Sequence, residues 1–334
     1  MFICVHPWLK NELTMQKIRL AVVGAGQFGR NHCRVAKEAE RAELAAIVDT
    51  DRARAEEAAA ANGGVALTDV RELAGKVDAA IVAVPTSAHE AVACALVEAG
   101  IDVLVEKPVA VDTAAADRMI DCAARHGRML QVGHLERFNP AVTELERRAT
   151  LPLFFEIHRL NLFSPRSLDV DVVLDLMIHD VDIVLALTGA EPAEIRAAGI
   201  RILSRKVDIA NVRLQFANGC VANLTASRVS TERVRKLRLF QPGQYLSLDY
   251  ARQDLTAFSV DAARQIGFEQ VPVEKCEPLK LELEAFLDAV EKRTVTKCSG
   301  TAARQTLSVA LAIVDKIEEH SQVVAHTLTA GWKP

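Results

Sequence analysis

A chain of 334 residues, half of it apolar and a quarter charged, is too long for one ordinary compact domain and apolar enough to build two cores. Its formal charge of −4, with Lys and Arg scattered rather than striped, leaves no footprint for nucleic acid, and no apolar run approaches the ~20 residues of a membrane span. Seven cysteines, odd in number, widely spaced and without a C-x-x-C pair, point to free thiols in a reducing cytoplasm and imply neither a disulfide framework nor a metal site.

Residues 1–16 place Lys10 behind their apolar residues and contain no long apolar core, which makes a poor signal peptide and reads as a loose extension without chemistry. From Lys17 the pattern changes. The β-branched run Ile18–Val23 enters Gly24-Ala25-Gly26-Gln27-Phe28-Gly29, an Ala-rich polar segment follows, and a second apolar run ends in Asp49. This is the βαβ dinucleotide-binding pattern. Gly24 permits the tight turn, Gly26 lets backbone approach a pyrophosphate, and Gly29 lets the helix lie against the sheet, while Gln27 and Phe28 open the helix whose N-terminus faces the phosphates. Asp49, 20 residues past Gly29, can accept hydrogen bonds from both ribose hydroxyls and repels a 2′-phosphate. The cofactor reading is therefore NAD, with NADP kept open by Arg52 and Arg54, which could receive that phosphate.

An Ala/Glu/Arg helix over Asp51–Ala61 closes at Asn62-Gly63-Gly64, and Thr68–Leu73 forms a short helical turn. The strand Ala79–Val84 ends at Pro85, Thr86 or Ser87 caps a helix over Ala88–Ala99, and Gly100 terminates it. Asp102–Val105 is the next strand and stops at Glu106-Lys107-Pro108, where the proline rigidifies the turn and admits a cis bond. Asp112 or Thr113 caps a helix running to His126-Gly127, and Met129–Val132 is one more strand. Such alternation predicts a doubly wound parallel sheet over residues 17–135, a Rossmann-type arrangement. Pro85, His89, Glu106 and Lys107 lie at its carboxyl edge, where open α/β sheets bind ligands. His32 and His89, near helix starts, would serve packing or capping equally well.

The boundary falls within 134–150. Of fifteen aromatic residues, eleven lie beyond residue 150, and strand-like runs take over: Leu153–Leu160, Glu194–Ile202, Ile209–Phe216, Cys220–Arg228, Arg235–Phe240, Tyr245–Asp249 and Leu255–Val260. Asn218-Gly219 marks a hairpin. With helices at Asp171–Leu187, Leu279–Arg293 and Thr301–His320, residues 136–330 read as an α+β unit with a large, mostly antiparallel open sheet.

The helix at Asp171–Leu187 carries Asp171, Asp175, His179 and Asp182 within roughly an 80° arc, and is apolar over most of the rest. A buried helix needs a polar cavity for such a stripe. Asp175 and His179, at i and i+4, are close enough for the carboxylate to hold the imidazole and raise its basicity, making His179 a general base; capping a sheet edge would use the same groups. His134, Glu136, Arg137 and Asn139 line a cleft or cap the linker. His158, Arg159 and Arg166 could hold an anionic substrate group.

Together, Gly24–Gly29, Val84-Pro-Thr-Ser-Ala-His89, Glu106-Lys107-Pro108 and Asp175-Leu-Met-Ile-His179-Asp resemble the glucose-fructose oxidoreductase, inositol dehydrogenase and rhizopine catabolism group, Gfo/Idh/MocA, over about Lys17 to His320. The resemblance implies a nicotinamide-binding domain joined to an α/β domain whose open sheet mediates dimers or tetramers, and oxidation at a ring hydroxyl of a sugar or cyclitol. It places Lys107, Asp175 and His179 at the family's catalytic positions, with Pro85, His89 and Glu106 beside the cofactor. Gly133–Pro140, His158-Arg159, Ser164-Pro-Arg166 and Asp169–Asp182 are similar to members that oxidise UDP-N-acetylglucosamine at C3, with Arg137, Asn139, Arg159 and Arg166 toward the substrate. Alternatives are an inositol or free-sugar dehydrogenase, a non-catalytic NAD- and sugar-binding sensor, and an NADPH-dependent reductase. Retention of Lys107, Asp175 and His179 counts against the sensor and Asp49 against the reductase.

Overall fold

The computed structural model describes residues 17–163 and 170–331. The chain first builds a six-stranded sheet from β1 (Ile18–Val23), β2 (Ala42–Val48), β3 (Val65–Leu67), β4 (Ala79–Val82), β5 (Asp102–Glu106) and β6 (Leu130–Gly133). Their order is β3-β2-β1-β4-β5-β6 and every pairing is parallel. Strands β4 and β5 are buried at every position because helices cover both faces. The connecting helices are α1 (Gln27–Glu38), α2 (Arg52–Asn62), α3 (His89–Glu98) and α4 (Thr113–His126). Asp51 and Asp112 cap α2 and α4 as their side chains accept backbone N–H groups, and Gly127 ends α4 in the left-handed region. Thr86 and Ser87 do not cap α3: Thr86–Ala88 forms a 3₁₀ turn, and α3 begins at His89 without a side-chain cap.

After a cap by Asn139, α5 (Pro140–Arg148) leads into an eight-stranded sheet. Its strands are β7 (Phe154–Leu162), β8 (Pro192–Ile200), β9 (Ile209–Phe216), β10 (Val221–Ser230), β11 (Val234–Gln241), β12 (Gln244–Asp249), β13 (Asp254–Val260) and β14 (Ile266–Val271). The order is β14-β13-β12-β11-β7-β10-β9-β8, antiparallel except for β7 beside β10. Asn218-Gly219 turns β9 into β10, with Gly219 at φ +86°. Neither β3, three residues long, nor the edge strand β14, exposed at five of six positions, follows from the hydrophobic pattern.

One face of this sheet is a dry core formed with a helix that starts differently from expectation. Val173–Met177 is a π-helical turn, in which the Ile178 N–H donates to the Val173 carbonyl, and only then does α6 (Ile178–Thr188) begin. The last two helices, α7 (Pro278–Lys292) and α8 (Gly300–Gly331), return to the first sheet. Leu279, Leu283, Phe286 and Leu287 of α7 pack with α1 residues against one face of it. Ala303 and Leu307 of α8 pack with α3 and α4 on the other, while Ala310, Ile313 and Ile317 join the core of the second sheet. Helix α8 thereby packs against both sheets and α7 against the first.

Candidate active site

The glycine turn between β1 and α1 is closed on one side and open on the other. A Cβ on Gly29 would sit 1.8 Å from the Gly24 carbonyl oxygen, and Gly24 itself has φ +99° with the Ala83 carbonyl 2.4 Å from its own would-be Cβ. Helix and strand therefore touch backbone to backbone. A Cβ on Gly26 would meet nothing within 4 Å, and no side chain caps the first N–H groups of α1. Open space above free N–H donors fits a pyrophosphate. At the end of β2, Asp49 accepts from the Ala25 N–H at 2.8 Å and from the Asp51 N–H at 2.9 Å. Its remaining lone pairs suit ribose hydroxyls. Arg52 and Arg54 are each paired with an acid of their own helix or its cap.

Beyond the turn, a cleft of about 670 Å³ runs between the carboxyl edge of the first sheet and the second sheet. Of the anticipated residues, Phe28, Pro85, His89, Glu106, Lys107, Glu136, Arg159, Asp175 and His179 line it. His89 ties two loops together, with Nε2 3.0 Å from the Val84 carbonyl and Nδ1 3.1 Å from that of Pro108. The Lys107–Pro108 peptide is cis. From there the Lys107 ammonium crosses to the π turn and donates to the Asp175 carbonyl at 2.7 Å, with the Asp175 carboxylate 3.7 Å away. Burial pulls the Lys107 pKa down, against the opposing charges of Asp175 and Glu106.

Asp175 and His179 both face the cleft, but no hydrogen bond joins them. The widened turn changes their register, so an i,i+4 pair of a regular helix is not what forms. His179 is buried and its Nδ1 has no partner. Burial, and then the charges of Lys107, Arg159, His134 and Arg235, push its pKa well below the ordinary histidine value. It is a neutral imidazole with a free nitrogen. The other members of the anticipated stripe do not line the cleft. Asp182 faces Arg137 at 3.5 Å and accepts from the Thr306 hydroxyl at 3.2 Å, and Asp171 accepts the Val173 N–H.

Arg159 is a floor rather than a free clamp. Fully buried, it donates to both oxygens of Asp180 at 2.7 and 2.8 Å and to Glu136 at 2.8 Å, while Tyr250 donates to Asp180 at 3.2 Å. His158 alternates to the opposite face of β7 and cannot join it. Arg137 and Asn139 do not line the cleft. Arg137 pairs with Glu146, and Asn139 caps α5 and donates to the Tyr250 carbonyl. Arg166 lies outside the described residues. His134 packs edge-on to His179 with ring centroids 6.3 Å apart, and burial pushes its pKa down.

Sequence reasoning missed Arg235 of β11, which also lines the cleft. Its Nε has no partner, its nearest acid is Glu136 at 3.9 Å, and burial followed by the neighbouring Arg159 pulls its pKa down. A partly buried guanidinium with donors to spare attracts an anion. The only sequence signal is its place at the start of a strand, which many arginines share.

Residues 18–134 match the model of an oxidoreductase family with an NAD-binding Rossmann fold, Gfo/Idh/MocA, and residues 157–240 that of the Gfo/Idh/MocA C-terminal domain. UDP-N-acetylglucosamine 3-dehydrogenase of Acidithiobacillus ferrooxidans is 38% identical over 92% of this chain and 100% of its own. A crystal structure of that enzyme superposes with a TM-score of 0.87, covering 92% of this chain and 99% of the other. Inositol 2-dehydrogenase of Rhizobium meliloti is 26% identical over 92% of this chain and 98% of its own.

The two glycines separate packing from binding. Gly29→Ala forces backbone apart and lowers the thermal midpoint without any ligand. Gly26→Ala changes stability by no more than about 0.5 kcal/mol, leaving that midpoint near the wild-type value, and weakens NAD⁺ binding, read as a smaller stabilisation by added NAD⁺.

Proposed function

Because the chain belongs to the Gfo/Idh/MocA family of NAD-binding oxidoreductases, we propose that it oxidises a ring hydroxyl of a nucleotide sugar, with UDP-N-acetylglucosamine at C3 as its substrate. One observation carries the chemistry: the Lys107 ammonium and a neutral His179 with an unpartnered nitrogen line the same cleft at the edge of the cofactor-binding sheet. NAD⁺, when bound, takes up the hydride. His179 accepts the hydroxyl proton, and its depressed pKa keeps it ready to do so at neutral pH. Lys107 donates a hydrogen bond to the developing alkoxide. Asp175 serves Lys107 rather than His179, holding the ammonium through its carbonyl. Arg235, in place of Arg159, Arg137 and Asn139, meets the diphosphate of the substrate.

In this reading residues 17–135 bind the cofactor, and residues 136–330 bind the substrate and join subunits, with α7 and α8 also buttressing the first sheet. The homo-oligomer is supported by the exposed face of the second sheet. There Phe154, Phe240, Tyr245, Phe258 and Phe268 stand opposite one another across successive strands, with ring centroids 4.7–5.8 Å apart. Phe268 and Ile266 are 64% and 78% exposed, and a second copy would cover them. A cytoplasmic location is supported by the six described cysteines, all of them free. Among the described residues no helix is long and apolar enough to cross a membrane.

Purified protein given NAD⁺ and a carbonyl trap should form NADH with UDP-N-acetylglucosamine and not with myo-inositol or glucose; turnover confined to inositol or glucose overturns the substrate. His179→Ala should lose roughly 10²–10⁴-fold in rate. The wild-type acid limb should lie below pH ~6.5, because protonation removes the base only as pH falls through a depressed pKa. Arg235→Ala should raise KM more than it lowers kcat.

Replacing Phe258 and Phe268 together by Asp should shift the protein to monomers in light scattering at an unchanged melting profile of each subunit. Unchanged mass would place the subunit contact elsewhere.

A further inference from the structure

Behind Lys107, on the face of the first sheet covered by α1 and α7, three ionisable side chains meet in a buried cluster. His32 of α1, Glu106 at the end of β5 and Glu282 of α7 bring their polar atoms within 4.8 Å of one another, and all three are buried. The Glu106 carboxylate is held at both oxygens: His32 Nε2 lies 2.6 Å from Oε1, and the Lys107 backbone N–H donates to Oε2 at 3.2 Å. From β6, a Cβ on Gly133 would stand 3.1 Å from this carboxylate, so any larger residue would crowd it. Glu282 is the opposite case. It is 0% exposed, and neither of its carboxylate oxygens has a donor. Gln131 of β6 reaches only the Glu282 backbone carbonyl, at 3.4 Å. Cys298, ahead of α8, is the other titratable group within electrostatic reach, and burial keeps it a thiol.

Two carboxylates this close in a dry site do not both ionise. Glu106 has two hydrogen-bonding neighbours and Glu282 has none, so the proton resides on Glu282. Burial, and then the Glu106 charge, hold the Glu282 carboxyl well above the ordinary carboxylate range. A cation does not suit this seat equally well. Separate ligands on one tetrahedral ion, with bonds of about 2.0–2.2 Å, stand roughly 3.3 Å apart, whereas His32 and Glu106 are at hydrogen-bonding distance.

We propose that Glu282 is a positioning residue kept as a neutral acid, so that of the two carboxyls Glu106 carries the negative charge, fixing the Lys107 turn and favouring oxidised over reduced nicotinamide. The second half rests on the cofactor reading above. Glu106 lines the cleft, and the oxidised ring carries a positive charge that the reduced ring lacks, so a carboxylate there attracts one form and not the other.

The sign of the pH effect follows from linkage. With a folded-state pKa raised above the unfolded value, Glu282 binds its proton more tightly in the native state. The stability it confers is complete below the unfolded pKa of about 4.3 and is lost as pH rises toward the folded one. Glutamine cannot titrate. Thermal midpoints of wild type and Glu282→Gln, taken from pH 5 to 9 without cofactor, should therefore diverge with rising pH in favour of the variant. Calorimetric Kd values should show Glu106→Gln lowering the preference for NAD⁺ over NADH at least about threefold, with the wild-type preference kept in Glu282→Gln. A variant E282Q less stable by the same margin at every pH would show that Glu282 works ionised. Stabilisation of chelator-treated wild type, and not of E282Q, by Zn²⁺ or Mn²⁺ alone would make the cluster a cation seat. Either result overturns the protonation, and an unchanged NAD⁺ preference in E106Q overturns the electrostatic role. Failure of wild type to bind either form of cofactor would overturn the cofactor reading and leave the melting comparison to decide on Glu282 alone.

Discussion

The contact on which the molecule depends is the hydrogen bond from the Lys107 ammonium to the Asp175 carbonyl, 2.7 Å long. A cation drawn out of water is costly unless it is paired and hydrogen-bonded. Lys107 follows a strand of one sheet, and its partner lies on the π turn between β7 and β8 of the other. Seating that charge therefore sets the edge of the parallel sheet against the helical layer of the antiparallel one. The cleft is the space left between them. The π turn belongs to the same arrangement, since it presents the Asp175 carbonyl to Lys107 and leaves His179 on the cleft wall without a tie to Asp175.

The floor beneath is built to stay still. Arg159, Asp180, Glu136, Tyr250 and Asn139 come from β7, α6, the turn after β6, the end of β12 and the start of α5, and their charges are satisfied by one another. Removing one partner from such a network leaves an uncompensated buried charge, so its members act together. Set above this closed network, His179 and Arg235 are conspicuous for what they lack: each has a nitrogen without a partner. Groups that are buried and incompletely bonded beside a cleft are the ones free to meet a ligand.

Local chemistry made the first sheet legible. Gly24, Gly26, Gly29 and Asp49 report a turn that only a few residue types can form, and runs such as Ala79–Val84 and Asp102–Val105 announce strands covered on both faces, which the structure ends at Val82 and Glu106. Alternation and Asn218-Gly219 located most of the second sheet. What could not be read is set by long-range packing. The insertion of a π turn between Val173 and Met177 leaves no compositional trace, yet it undoes the helical arc that grouped Asp171, Asp175, His179 and Asp182. Residue type marked Arg159 as a clamp for an anion, but Asp180, one position beyond His179, claims it. Arg235 and Glu282 sit in ordinary strand and helix patterns, and only the fold shows that one lacks a close partner and the other any donor. The return of α7 and α8 to the first sheet is likewise invisible to periodicity, which shows that a helix has an apolar face but not what covers it.

The most direct test of the role of Lys107 at the reacting hydroxyl is single-turnover hydride transfer in Lys107→Met, followed as NADH fluorescence at saturating NAD⁺. Methionine keeps the length and apolar stem of the lysine and removes its charge. We expect the transfer rate to fall at least about 100-fold while the Kd for NAD⁺ stays within about twofold. Transfer at the wild-type rate, or loss of NAD⁺ binding with transfer intact once the site is filled, would contradict a role for Lys107 at the reacting hydroxyl.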